Sequence, residues 1–183
     1  MSVDPRSFRK ALGCFATGVT VVTTQHPDTQ APAGVTVSAF SSLSLEPPLV
    51  LFCLGNKTSS LEAFKTNGYF AINVLAEGQR DLSIRFASRS EDKWAGLKFD
   101  RGVGGVPVLG GCLATLECKL VNTVDGGDHV IFIGEVENLS HQGKRVAADL
   151  FPGGLSGLSA AGGVILSPTR PSRAPRRAPF FVQ

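Results

Sequence analysis

The sequence predicts a mainly β protein, an antiparallel barrel with appended helices. Several segments have the length and the β-branched or apolar composition of strands, and few segments have helical spacing. The order of strands and helices never becomes the regular alternation of a doubly wound parallel sheet, so a barrel is favoured over that alternative. The nucleotide sites typical of α/β folds are therefore not expected.

The first elements are a short helix and a pair of strands. Asp4 and Pro5 have the pattern of an N-cap followed by a proline in the first turn, and the apolar residues after them have helical spacing. Residues 18–24 are mostly β-branched. In residues 34–40 the hydroxyl side chains of Thr36 and Ser38 alternate with apolar side chains. A proline-containing loop separates these two segments, which we expect to pair as a hairpin.

The middle of the chain predicts a buried strand and two helices. Residues 49–54 form a continuous apolar run of strand length, which indicates a central strand covered on both faces. Residues 58–66 predict a helix, because the Ser-x-x-Glu pattern near their start has the spacing of a capping box. Another strand is expected over residues 69–75, and a second helix over residues 79–88.

The next stretch predicts loops and then a long hairpin. Residues 94–111 are rich in glycine, and we expect them to form loops. Residues 113–124 and 129–139 predict two longer strands on either side of a turn at residues 125–128.

Composition and charge restrict the class of partner. The chain has 183 residues, 43% of hydrophobic and 18% of charged types, as is typical of one globular domain. Four arginines within the last fourteen residues account for the net charge of +3, since the rest of the chain has 14 basic and 15 acidic residues. A nearly neutral body lacks the basic surface of a nucleic-acid-binding domain. We expect a domain over residues 1–163 and a Pro/Arg-rich tail over residues 164–183, disordered or packed on a partner.

Location and metal content are also predicted from composition. The first residues lack the apolar segment of a secretory signal, and no run reaches the roughly 18 apolar residues of a spanning helix. The four cysteines form no CxxC pair, which is typical of core packing in a reducing compartment. We therefore expect a cytoplasmic protein without a membrane partner. The three histidines lack the spacing of a helical zinc site, so no metal centre is expected.

A group of hydroxyl residues followed by a lysine is the main candidate for ligand binding. Thr36 and Ser38 share one face of their predicted strand, and Ser41 and Ser42 follow at once. These hydroxyls either satisfy local backbone groups or form a cradle for a planar polar ligand. Lys57 precedes a predicted helix, whose first N–H groups favour an anion. The segment therefore suits a phosphate.

Two more residues are candidates for the same site. Arg85 lies in an otherwise apolar segment, so its guanidinium either extends to solvent or binds an anion, and the residues leave both alternatives open. His129 stands where the second long strand begins. A histidine there is more often a hydrogen-bonding group than a catalyst, and its neutral form suits contact with a ligand amide.

Several segments together resemble the short-chain flavin reductases. In chain order they are Gly34 to Leu49, Ser59-Ser60, Arg85-Phe86-Ala87, Asp92-Lys93-Trp94, Gly127-Asp128-His129 and Gly134-Glu135-Val136. The resemblance implies an FMN-binding, Greek-key split β-barrel that forms a homodimer. It also implies the reductase component of a two-component flavin monooxygenase, whose oxygenase acts on aromatic polyketides or other aromatic compounds.

The resemblance further implies a role for each candidate residue. The isoalloxazine ring of the flavin would lie along Thr36, Val37, Ser38, Cys53 and Leu54. The ribityl chain and the phosphate would meet Ser41, Ser42, Lys57, Ser59, Ser60 and Arg85, and the site would be closed by Phe86 and Ala87. His129 would lie on the side of the flavin where the nicotinamide binds, and it would be the catalytic residue.

The implied reaction is hydride transfer from NADH or NADPH to FMN, or to FAD. Because the cofactors carry this chemistry, no protein acid–base pair is required, and the scarcity of histidines is no objection. Two alternatives remain: a split barrel that stores or senses flavin or haem without turnover, and an enzyme resembling pyridoxamine-phosphate oxidase. After Asp149 the sequence departs from the aromatic and arginine-rich ending of many family members.

Overall fold

The computed structural model describes residues 3–90 and 92–142, which form two antiparallel sheets and three α-helices. The helices are Pro5–Leu12 (α1), Leu61–Thr66 (α2) and Arg80–Ala87 (α3). The strands are Thr20–Gln25 (β1), Pro32–Val37 (β2), Phe40–Leu45 (β3), Pro48–Gly55 (β4), Tyr69–Val74 (β5), Phe99–Arg101 (β6), Pro107–Leu109 (β7), Ala114–Gly126 (β8) and His129–His141 (β9). Single 3-10 turns lie at Glu77–Gln79 and Val103–Gly105.

Seven strands form one curled sheet. Its order is β2-β1-β5-β8-β9-β4-β3, and all neighbours are antiparallel. The two edge strands, β2 and β3, follow one another in the chain, so the sheet must bend back on itself. At this junction the backbone N–H of Cys53 in β4 donates to the carbonyl of Ala39 at 3.0 Å. The result is the predicted antiparallel split barrel.

The barrel interior is an aromatic core. Phe52 of β4 and Phe132 of β9 stack with their ring centroids 4.9 Å apart. Phe64 of α2 and Phe70 of β5 approach Phe52 edge-on, and all four side chains are buried. Burial of a phenylalanine contributes on the order of 1.5–3 kcal/mol, so this cluster attaches α2 to the barrel.

A second core holds α3 against the outside of the barrel. β1 is buried on both faces: Val22 points into the barrel, and Val21 packs in a cluster with Phe86 of α3. Trp94 supports this cluster, with its ring centroid 4.9 Å from that of Phe86. The close approach requires Gly34 in β2, because a Cβ there would lie 2.7 Å from Cε1 of Phe86. This packing places α3 alongside β2.

Several predicted elements are confirmed. Asp4 caps α1, since its carboxylate accepts a hydrogen bond from the backbone N–H of Ser7 at 2.8 Å. β1 and β2 form the predicted hairpin. β8 and β9 form the long hairpin, with Gly127 in its turn at a φ of 74°, a conformation that glycine adopts without strain.

Three predictions about local structure are wrong. The strand expected to run to residue 40 ends at Val37, and β3 is a separate strand that pairs with β4 across a bulge. Its serine-rich sequence has no clear alternation, and the exposed edge of β4 supplies the partner. α2 begins only at Leu61, and the side chain of Ser60 makes no capping bond. Residues 94–111 contain the β6–β7 pair, held to β5 because Asn73 Oδ1 accepts from the backbone N–H of Leu109 at 2.9 Å.

β4 is fully buried on only one face, although burial of both faces is predicted. Val50, Phe52 and Leu54 are buried in the barrel, whereas Leu51 and Cys53 on the other face are half-buried. In the described part of the chain, no helix is both long enough and apolar enough to cross a membrane. The predicted boundary between domain and tail lies outside the described residues.

Candidate functional site

A cavity of about 540 Å³ lies between the barrel and the end of α3. We call it the first chamber. This volume is within the range of small-molecule sites. Its walls come from β2, the loop between β4 and α2, and the residues at and after the end of α3. The lining residues are Val35, Lys57, Thr58, Ser59, Phe86, Ala87, Ser88, Arg89 and Lys93.

A second cavity, of about 390 Å³, adjoins the first. We call it the second chamber. The two chambers share Ser59, Arg89 and Lys93 as walls. The other lining residues of the second chamber are His26, Pro32, Ala33, Gly34, Ser60, Ser90 and Trp94. The two cavities therefore form one trough along the outside of β2.

The first chamber is cationic. Lys57, Arg89 and Lys93 line it, and no carboxylate is among its lining residues. Lys93 is the most enclosed of the three: its Nζ donates to the carbonyl of Phe86 at 3.0 Å, and its partial burial lowers the pKa of the ammonium group. Lysine and arginine with nearby hydroxyls are the donors that proteins use for phosphate. The chamber can therefore hold a phosphate group through side chains.

The contribution expected from a helix N-terminus is small here. α2 has six residues, too few for a strong dipole, and its N-cap Ser60 makes no side-chain capping bond. An anion in this chamber would therefore be held by Lys57, Arg89 and Lys93, of which only Lys57 is a predicted ligand.

Some of the predicted site residues meet in these cavities. Lys57, Ser59, Phe86 and Ala87 line the first chamber, although they come from two segments about thirty residues apart in the chain. Ser60 lines the second chamber. Phe86 is fully buried and forms an apolar wall, so the chamber joins a charged end to an apolar surface.

The predicted residues of β2 lie next to the first chamber but do not line it. The hydroxyl of Thr36 donates to the carbonyl of Ser83 in α3 at 2.7 Å, so it attaches the helix to the strand. Val37 is buried in the barrel core, and Ser38 is half-buried after the strand ends. Since β2 is an edge strand, a ligand can reach this segment through backbone N–H and C=O groups.

Four other predicted residues also line neither chamber. Ser41 and Ser42 are exposed on β3, and the hydroxyl of Ser41 donates to the carbonyl of Ser42 at 3.0 Å. Leu54 is buried in the barrel core. Cys53 is half-buried on the opposite face of β4, where burial raises the pKa of its thiol.

Arg85 lies outside the two chambers, and Arg89 lies within both. The guanidinium of Arg85 donates to the backbone carbonyl of Ala95, whereas Arg89, about one helical turn further along, lines the trough. Arg89 carried no recognisable sequence signal. Lys93 belongs to the Asp92-Lys93-Trp94 segment of the resemblance, but its proximity to Lys57 appears only in the folded chain.

His129 stands beside the first chamber. Its Nδ1 is 2.7 Å from Oδ1 of Asp128, and this hydrogen bond is the largest of the effects that lower the pKa of the Asp128 carboxyl group. A Cβ built on Gly55 would lie 3.7 Å from Nε2 of His129 and 3.8 Å from the hydroxyl of Thr58. Because Thr58 lines the first chamber, Nε2 lies close to the part of the chamber wall that Thr58 forms.

The residues that the structure describes contain no group of three or more His, Cys, Asp and Glu side chains arranged to hold a metal ion. The polar groups of the trough are side-chain cations, hydroxyls, the edge-strand backbone of β2 and the imidazole of His26, and His129 lies close by.

Comparison with known proteins identifies the family. The model of the flavin reductase like domain matches residues 12–153. The chain is 46% identical over 138 residues to the flavin-dependent monooxygenase reductase subunit HsaB of Mycobacterium tuberculosis, covering 75% of this chain and 73% of that protein. It is 38% identical over 169 residues to the actinorhodin polyketide dimerase of Streptomyces coelicolor, covering 92% and 95%.

Solved structures agree with this match. The Streptomyces globisporus NADH:FAD oxidoreductase SgcE6, solved in complex with NAD and FAD fragments, superimposes with a TM-score of 0.74 at 36% identity. The superposition covers 81% of this chain and 91% of that one. The family predicted from the sequence is thus confirmed: the chain belongs to the family of flavin reductase-like domains.

Proposed function

We propose that this protein is a flavin reductase, which uses NADH or NADPH to reduce FMN or FAD and supplies the reduced flavin to a partner monooxygenase. The observation that carries the proposal is the first chamber, where three cations lie beside the edge strand β2 and His129 lies close to Thr58 of the chamber wall. The relatives support it, since one is a monooxygenase reductase subunit and another an NADH:FAD oxidoreductase.

The residues present fit a flavin phosphate. Lys57, Arg89 and Lys93 supply positive charge, Ser59 supplies a hydroxyl, and no lining carboxylate repels an anion. When bound, the flavin supplies the hydride-accepting ring and the nicotinamide nucleotide supplies the hydride. Edge-strand backbone of β2 orients the ring plane, and the buried Phe86 excludes water from one wall.

We propose that His129 positions the nicotinamide and transfers no proton. Its Nδ1 lies 2.7 Å from Oδ1 of Asp128, so a proton on Nδ1 donates to that carboxylate and Nε2 of the neutral ring is left as an acceptor for a carboxamide N–H. His129→Ala should raise the Michaelis constant for NADH and leave FMN affinity nearly unchanged, with some loss of turnover because the two rings are less well aligned. His129→Asn should retain activity with a flat pH profile between about pH 6 and 8. A loss as large as that of the alanine variant, together with disappearance of a bell-shaped pH profile seen in the parent, would indicate general acid–base catalysis.

The central test is anaerobic oxidation of NADH by the purified protein. Adding NADH to the protein with FMN should bleach the flavin absorbance, and no NADH should be consumed when flavin is left out. A protein that binds FMN but never bleaches it, with either NADH or NADPH and with FMN, FAD or riboflavin, would instead be a storage or sensor barrel. That result would refute the proposed activity.

We also propose that two copies of the chain form a dimer. Apolar residues of α1 and of the turn after it are exposed, with Phe8 at 54%, Leu12 at 57% and Phe15 at 79%. The outer face of β4 is half-covered at Leu51 and Cys53, although its continuous apolar sequence is typical of a strand covered on both faces. A second copy would cover these surfaces. Light scattering after size-exclusion chromatography should give the dimer mass, and a monomer at micromolar concentration would contradict the proposal.

The partner oxygenase and the cellular location are further proposals. The proposed oxygenase acts on aromatic polyketides or other aromatic compounds; the relatives that support it are a monooxygenase reductase subunit and a polyketide dimerase. The test is oxygenase turnover that requires this protein, NADH and free flavin together. A cytoplasmic location agrees with four cysteines that form no disulfide. Fractionation of cells producing the full chain checks it.

A further inference from the structure

We propose that Asn56 is a positioning residue, which holds the turn between β8 and β9 so that His129 stays in place beside the first chamber. This inference deepens the proposed function and rests on it, because it takes the contact between His129 and the nicotinamide as given. Asn56 lines neither chamber, and it acts on the reaction only through His129.

The turn that carries His129 has no packing to hold it. Residues 125–129 are all exposed, and the side chain of Asp128 is 94% exposed. The pairing of β4 with β9 ends at Gly55 and His129, so the turn extends beyond that ladder. The hydrogen bond between Asp128 and His129 joins two neighbouring residues, which move together with the turn. The position of the turn relative to the chamber therefore depends on bonds from another part of the chain.

Asn56 makes two such bonds. Its backbone N–H donates to the carbonyl of Asp128 at 2.9 Å, and its side-chain Nδ2 donates to the carbonyl of Gly127 at 3.2 Å. One residue thus holds two consecutive carbonyls of the turn. The first bond needs only a backbone N–H, whereas the second requires a side chain with a donor. A substitution at Asn56 therefore removes the second bond and leaves the first in place.

Asn56 also adjoins the wall of the first chamber. Residues 57–59 follow it and line that chamber. The backbone N–H of Thr58 donates to the carbonyl of Gly55 at 2.9 Å, so this segment is itself a tight turn. The imidazole of His129 lies close to the same segment, because a Cβ on Gly55 would be 3.7 Å from its Nε2. Asn56 thereby joins the wall proposed to bind phosphate and the turn that carries His129 into one unit.

An amide suits this position better than a carboxylate. The hydrogen bond with His129 lowers the pKa of the Asp128 carboxyl group, so that group is charged at neutral pH. A carboxylate at position 56 would have no donor for the carbonyl of Gly127, and it would face a second negative charge nearby. Asn56→Asp therefore removes the bond with almost no change in size, and Asn56→Gln retains an amide donor.

The test compares the Michaelis constant for NADH with the dissociation constant for FMN in the full chain. Asn56→Ala should raise the Michaelis constant about twofold to tenfold, the effect of one neutral hydrogen bond. Its dissociation constant for FMN should equal that of the parent, and turnover should fall only slightly. Asn56→Asp should raise the Michaelis constant at least as much as Asn56→Ala, and Asn56→Gln should restore part of the loss.

These variants leave the fold intact. Asn56 is exposed, and among the residues that the structure describes Gln30 is the one non-glycine residue with a positive φ, so alanine at position 56 introduces no backbone strain. Asn122→Ala is the matched control. Asn122 is an exposed asparagine of β8, in the same hairpin, and its Oδ1 accepts from the backbone N–H of Thr123 at 2.8 Å. This variant should keep the Michaelis constant of the parent.

A double-mutant cycle shows whether Asn56 acts through His129. In the His129→Ala background, Asn56→Ala should leave the Michaelis constant for NADH unchanged, because the side chain that it positions is absent. An equal effect of Asn56→Ala in both backgrounds would overturn the inference, and so would no effect in the parent.

Equal weakening of FMN and NADH binding would also overturn it, since Asn56 would then be a structural support of the phosphate wall. A parent that oxidises no NADH with any flavin would refute the proposed function itself, and this inference with it. An active parent with any of the other contrary results would refute this inference alone.

Discussion

Removing the positive charge of Lys93 should weaken FMN binding more than removing that of Lys57. Both side chains line the first chamber, but their surroundings differ. Lys93 is half-buried and held in place by its hydrogen bond to the carbonyl of Phe86, at 3.0 Å. Lys57 is exposed on the loop before α2. Lys93→Met and Lys57→Met therefore compare an enclosed and a solvated cation at the same site.

The expected magnitudes follow from this difference in exposure. A hydrogen bond from a charged, partly enclosed group contributes about 1.5–3 kcal/mol, so Lys93→Met should raise the dissociation constant for FMN roughly tenfold to a hundredfold. An exposed ion pair contributes about 0.2–1 kcal/mol because water and salt screen it. Lys57→Met should therefore raise the dissociation constant by at most about fivefold.

Fluorescence titration of the apoprotein measures both constants, and riboflavin separates charge from packing. Riboflavin has no phosphate, so its affinity should be the same in the parent and in both variants. Lys65→Met, at an exposed lysine of α2 that lines neither chamber, is the matched control. If Lys93→Met weakens riboflavin and FMN equally, or if Lys57→Met has the larger effect on FMN, the assignment of the phosphate to this chamber is wrong.

The same lysine predicts a dependence on pH. Lys93 attracts a phosphate only while protonated, and partial burial lowers its pKa below the usual lysine value of 10.5. As pH rises, FMN affinity should therefore begin to fall at a lower pH than it would if Lys93 had the usual pKa of a lysine. Lys93→Arg remains charged throughout this range and should remove that fall. An identical alkaline profile in the parent and in the arginine variant would contradict this account.

Two further predictions test the packing of the fold. Gly34→Ala should lower the free energy of unfolding by about 1–3 kcal/mol, because the added Cβ overlaps the ring of Phe86. Gly18→Ala, whose added Cβ would have nothing within 4 Å, should leave the free energy of unfolding nearly unchanged. Equal melting temperatures of the two variants would refute the close packing of α3 on β2. The exposed thiol of Cys14 should react with iodoacetamide in the folded protein. Burial raises the pKa of the Cys118 thiol to about 12, so this thiol should react only on unfolding. If peptide mass spectrometry finds that both thiols are labelled equally in the folded protein, the position of β8 in the core is contradicted.

Elements with short-range signals could be predicted from the sequence. The cap at Asp4 and the turn at Gly127 depend on residues within a few positions of one another, and both are present. β3 could not be predicted, since its serines show no strand periodicity and it forms only because β4 offers an edge. The capping box at α2 is a false signal: its spacing predicts Ser59 as the N-cap, but the N-cap is Ser60, whose side chain makes no capping bond.

The sequence by itself determined the family and the antiparallel class, and it predicted part of the proposed phosphate site, because these depend on composition, periodicity and ordered motifs. Only the tertiary structure decided which cations share one chamber. Arg85 and Arg89 are about one helical turn apart, yet Arg85 donates to the carbonyl of Ala95 and Arg89 lines the trough with Lys57. The direction of a long flexible side chain is set by the surfaces that fold against it. Those surfaces come from distant parts of the chain and leave no mark in the local sequence.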